Sequence, residues 1–98
     1  MAKRGDIESA LRQLAPQLPA HEFGAVVDHA MDSKGLGGAA PETAAWLSLV
    51  AYARHVFTEY DALLQQGYDR DSARHFVAAE IERLLVSWGV RRRLAADE

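Results

Sequence analysis

Between residues 54 and 75 the chain carries most of the side chains that could do chemistry: Arg54, His55, Thr58, Asp61, Arg70, Arg74 and His75. Several guanidinium groups beside one carboxylate suit two ends. They can gather at one edge as a site for an anion or a macromolecular partner, or they can close an interhelical salt-bridge network. In that network Asp61 pairs with Arg74 or Arg70 and fixes the register of two helices. Charges flanking a helix seam are more often paired and solvated than offered to a ligand, so the network carries more weight. His55 or His75 with Asp61 would be the acid–base pair of an enzyme. That reading needs a histidine turned into a pocket with its proton affinity strongly perturbed.

Other chemistries find little support. The absence of cysteine excludes disulfides, thiolate metal sites and cysteine nucleophiles, and fits a reducing, cytoplasmic compartment. Ser9, Ser33, Ser48, Ser72 and Ser87 all lie outside a Gly-x-Ser-x-Gly elbow. Gly35-Leu36-Gly37-Gly38 precedes a helix but lacks the lysine of a phosphate loop and follows no strand, so it reads as a flexible connection. His21 with Asp28, and Glu22 with His29, share a helix face, yet no His-x3-His spacing occurs. No catalytic residue, metal ligand or cofactor is assigned.

The formal charge of -3 does not recommend a polyanion as partner. Local charge does so more clearly. Arg74, Arg83, Arg91, Arg92 and Arg93 would serve a nucleic-acid module if they shared one face.

Helical periodicity runs through the elements that must position these groups. Ile7, Ala10, Leu11 and Leu14 mark a short helix over about 6–15, closed by Pro16. Phe23, Val26, Val27, Ala30 and Met31 mark a second over about 20–32, opened by Pro19. The stripe Trp46, Leu49, Val50, Ala53, Val56, Phe57, Tyr60, Leu63, Leu64 predicts one long helix over about 41–66. Gly67 caps it, Asp69 opens a fourth helix over about 70–88, and that helix buries Ala73, Phe76, Val77, Ile81, Leu84, Leu85 and Trp88. Residues 90–98 read as a frayed tail.

At 100° per residue, Arg54 and Asp61 fall at roughly 80–100° from the apolar centre of the long helix, and His55 faces away at roughly 200°. The class is all-α: a compact four-helix domain over residues 1–98, built on an antiparallel hairpin of the two longer helices. No window suits a membrane span. Leu47 and Tyr52, both off the core centre, leave room for a homodimer.

The hairpin also carries a pattern of longer reach. Ala44-Ala45-Trp46-Leu47-Ser48-Leu49, then Arg54-His55-x-x-Thr58-x-Tyr60-Asp61-x-Leu63-Leu64, then Gly67-Tyr68-Asp69-Arg70-Asp71-x-Ala73-Arg74 and Trp88 together resemble a bacterial family of unknown function. The resemblance is close over about residues 40–94 and looser over the first two helices. It implies that Arg54, His55, Thr58, Tyr60, Asp61, Arg70 and Arg74 are the family's polar signature, and it implies no reaction, cofactor or partner. The function expected is a small non-enzymatic module binding a protein partner through Arg54, His55, Thr58, Asp61, Arg70 and Arg74. Nucleic acid held by the arginine-rich end is the alternative.

Overall fold

Ile7 and Leu11 stand one helical turn apart and are both buried, which fixes the inner face of the first helix, α1 (Arg4–Leu14). The fold is a computed structural model that describes residues 3–36, 38–95 and 98. Ala15 closes α1 by donating its backbone N–H to the Leu11 carbonyl at 2.8 Å, just before Pro16 makes continuation impossible. In α2 (Ala20–Asp32) Pro19 sits at the N-cap, one position earlier than expected, and Val26, Val27 and Ala30 are buried. Met31, expected in the core, is exposed, because α2 is covered on one narrow side. A single 3-10 turn at Lys34–Leu36 leads on, and Leu36 and Ala39 pack against the core. Gly37 of this connection lies outside the described residues.

α3 (Pro41–Phe57) begins with proline at its first position, where the missing N–H costs no helix bond. Its buried residues Ala44, Ala45, Trp46, Ser48, Leu49, Val50, Ala53 and Arg54 occupy most of its circumference. The reason is position: α3 packs chiefly against α1 and α2, and α5 covers a further side.

The single helix expected over 41–66 is two. Thr58 adopts φ -129° and ψ 172°, and a separate α4 (Tyr60–Gln65) follows. The threonine hydroxyl donates to the Arg54 carbonyl and accepts the Tyr60 N–H at 3.2 Å, satisfying groups on both sides of the break. Gly67, at φ +100°, then turns the chain, with the Tyr68 N–H bonded to the Leu63 carbonyl at 3.1 Å. Asp69 caps α5 (Arg70–Ser87) by accepting the Ser72 N–H at 2.8 Å, as the sequence predicts. The expected hairpin of two long helices is therefore a long, a short and a long helix, with α5 lying on both α3 and α4.

Among the described residues there are five α-helices and no strand, so the all-α class holds while the count of four does not. None of these helices is long and apolar enough to cross a membrane.

The C-terminal segment also departs from expectation. Gly89, at φ +84°, reverses the chain, and the Val90 N–H closes on the Leu85 carbonyl at 2.9 Å. Val90 is buried and Leu94 packs against the core, so this part of the segment returns to the body of the protein instead of fraying. The same turn meets the link between α1 and α2, where the Gln17 N–H donates to the Trp88 carbonyl at 3.0 Å. Residues 96 and 97 of the expected tail lie outside the described residues.

Candidate binding site around Arg54 and the C-terminal segment

Arg54 lies in the last turn of α3, and at 7% exposure it is buried instead of edging the seam. Its guanidinium stands over the Tyr60 ring at 5.4 Å, which the break at Thr58 brings under it. Among the described residues its Nε has no hydrogen-bond partner. Burial pushes the guanidinium below the ordinary arginine value, the charge of Arg74 adds to the shift, and Tyr60 and Glu98 oppose it. A buried cation repelled by a neighbouring cation is an expensive arrangement for stability alone.

The other residues expected at the site divide between bracing and display. Thr58 is committed to the helix break. His55 remains exposed, as its phase predicts, and its Nδ1 donates to Asp61 across the break at 2.7 Å. Its ring also meets Tyr60 edge-on at 5.4 Å. The carboxylate expected to pair with Arg74 or Arg70 is thus taken by His55. The physical reason is the break itself, which turns Asp61 back along α3 instead of leaving it a further turn along one continuous helix. Arg70 is exposed at the first position of α5, and no hydrogen bond or ion pair joins it to the cluster among the described residues.

Trp46 and Glu98 belong to this neighbourhood and were not expected there. The Trp46 indole N–H donates to the Glu98 carboxylate at 2.6 Å. Arg92 lies 4.3 Å over the Trp46 ring and 3.9 Å from the same carboxylate, whose second oxygen accepts the Ala95 N–H at 2.7 Å. The sequence signal for this return is the pair of apolar residues Val90 and Leu94 that follows a glycine stop. Beside it a cavity of about 300 Å³ is lined by Asp71, Arg74, His75, Glu82, Leu94 and Glu98.

The acid–base reading loses its geometry. His55 and Asp61 meet in the open, and His75 lines the cavity without a hydrogen bond to Asp61. Asp28, on the histidine-bearing face of α2, instead accepts from Arg4 at 2.9 Å. Arg74 and Arg83 are nine residues apart on α5 and so point in opposite directions at about 100° per residue. The five arginines of the nucleic-acid alternative therefore do not share a face, although Arg91, Arg92 and Arg93 do line one cavity with Glu82.

No curated protein and no solved structure matches the chain. A family profile described as "Uncharacterized conserved protein (DUF2293)" matches residues 10–89, from within α1 to the glycine that ends α5. With that match spanning most of its length, the chain belongs to this uncharacterised conserved family.

Proposed function

We propose that the protein is a non-enzymatic helical module that docks a protein partner along the outer stripe of α5. The observation that carries this reading is Phe76, expected in the core yet 59% exposed, with the Tyr68 ring stacked edge-on at 5.4 Å. Phe76, Glu80, Arg83 and Ser87 recur at helical spacing on one face of α5. At the far end of that stripe an open cavity of about 400 Å³ is lined by Phe57, Glu80, Arg83, Leu84 and Ser87. Aromatic anchors at both ends with an acid and a base between them suit an amphipathic helix of a partner, which would bury the rings and be oriented by the charges. His55, Thr58 and Asp61, expected to touch the partner, act here by holding the helix break that presents Phe57.

A photo-crosslinking residue at position 76, introduced in cells that express the protein, tests the reading. A discrete protein adduct from position 76, with none from the exposed position 29, supports it. Equal adducts at both positions, or none at 76, remove it.

The nucleic-acid reading keeps one supporting observation, the exposed run Arg91, Arg92 and Arg93 around a cavity of about 290 Å³. It calls for saturable, salt-sensitive amide shifts at those three residues on adding short nucleic acid.

A further inference from the structure

The outer stripe of α5 has an internal symmetry. Phe76 and Ser87 lie at equal distances on either side of the midpoint between Ile81 and Glu82, and Glu80 and Arg83 do the same closer in. At 100° per residue all four fall within about 60° of one another around the helix. Reversing the direction of α5 therefore exchanges Phe76 with Ser87 and the acid with the base.

The exchanged positions are complementary. The cavity of about 400 Å³ that Ser87 helps to line stands at one end of the stripe, and the exposed Phe76 ring stands at the other. Glu80 and Arg83 are both exposed and three residues apart, yet among the described residues neither makes a hydrogen bond or ion pair within the chain. Ala79 and Val86, both exposed, add an apolar line along one flank of the stripe, and Val86 at 70% is the most exposed of the large hydrophobic residues described.

We infer that the partner for this stripe is a second copy of the chain, with the two α5 helices packed antiparallel about a twofold axis that passes between Ile81 and Glu82. The inference rests on the docking reading above and names its partner. In an isologous pair every contact occurs twice. Phe76 of one copy enters the cavity of the other, Glu80 faces Arg83 of the second copy, and Ala79 comes beside its Val86. A parallel pairing would set Glu80 against Glu80 and Arg83 against Arg83, so the charges select the antiparallel one. The pairing expected from Leu47 and Tyr52 would use α3, whereas the self-complementary pattern lies on α5. One helix laid on another covers less than a standard interface of about 1,600 Å², so the dimer is expected to dissociate at about 1–100 μM.

The test is sedimentation velocity of the full chain at low salt, from the micromolar to the millimolar range. The wild type is expected to pass from monomer to dimer as its concentration rises. Glu80→Arg and Arg83→Glu each set like charges face to face twice, and each is expected to raise the midpoint by about tenfold or more. Mixing the two variants, or combining both substitutions in one chain, brings opposite charges together again and should restore the dimer. That recovery also shows that the variants fold. A wild type that stays monomeric throughout overturns the inference. So does a dimer indifferent to both substitutions, or a pair of monomeric variants that mixing does not rescue. The crosslink from position 76 judges the docking stripe separately. A monomeric wild type with a discrete adduct to a different protein removes the second copy and leaves the stripe standing, whereas no adduct at 76 removes both.

Discussion

The imidazole of His55 and the carboxylate of Asp61 meet at 2.7 Å across the point where α3 stops and α4 starts. Both side chains are about half exposed, at 49% and 56%. The pair acts as an external clasp on a bent helix, and solvent screens it. A double-mutant cycle of His55→Ala and Asp61→Ala, read by denaturant unfolding, is expected to give a coupling of about 0.2–1 kcal/mol. A coupling of several kcal/mol would show that Asp61 reaches a buried cation instead.

Thr58 should matter more than the clasp that spans it. Its hydroxyl serves the Arg54 carbonyl and the Tyr60 N–H together, so Thr58→Val orphans one group on each side of the break. A loss of about 1–2 kcal/mol is expected in chemical denaturation. Thr58→Ser, which keeps the hydroxyl, should recover most of it. Equal losses for valine and serine would assign the effect to backbone preference alone.

Asp69 supplies the pH dependence. Its bonds to Ser72, the backbone one foremost, hold the carboxyl below its ordinary value of 3.8. A depressed folded value means that the folded state binds its proton less readily than the unfolded chain. The stabilisation is therefore complete above 3.8 and fades as the pH falls through the lower folded value. Asp69→Ala should melt below the wild type at neutral pH, and the gap should narrow in acid. A gap of constant size down the acid limb would contradict the cap.

Two glycines with positive φ should differ in their response to alanine. Gly67 at φ +100° has open space where a Cβ would go, so Gly67→Ala should cost about 1–2 kcal/mol from backbone strain alone. At Gly89, φ +84°, the added carbon would stand 3.0 Å from Pro16 Cγ and 3.1 Å from Pro16 Cδ. Gly89→Ala should therefore cost about 2–4 kcal/mol. Equal costs in thermal unfolding would mean that the Pro16 ring yields freely.

Arg54 should show the opposite sign from an ordinary buried contact. Arg54→Met deletes a desolvated cation repelled by Arg74 and keeps apolar volume against Tyr60. Its stability is expected within about 1.5 kcal/mol of the wild type, or above it. A collapse of the fold in this variant would show instead that the guanidinium itself holds the end of α3 in place.

Much of the fold is legible in the residues. Ile7 with Leu11, Val26 with Val27, and Ala73, Val77, Ile81 with Leu85 announce three of the helices through spacing alone, and Gly67 and Asp69 announce the turn between α4 and α5. The break at Thr58 is hidden because Tyr60, Leu63 and Leu64 resume the apolar rhythm on its far side, so the pattern runs on where the helix does not. Arg54 lies deeper than its spacing predicts for a related reason. A phase taken from a single apolar centre puts it at the edge, whereas α3 is covered on more than one side and its flank is interior. Phe76 errs in the other direction, for hydropathy marks a residue that wants covering and does not say by which chain. The meeting of Trp46 with Glu98 joins positions with no shared period, and only the fold brings them together.

The bond from the Gln17 amide to the Trp88 carbonyl joins the link after α1 to the end of α5. That amide is a remote gauge of the turn at Gly89: its exchange with solvent deuterium requires that this link and the end of α5 part. A single proton near the start of the chain thus records how often its opposite end opens.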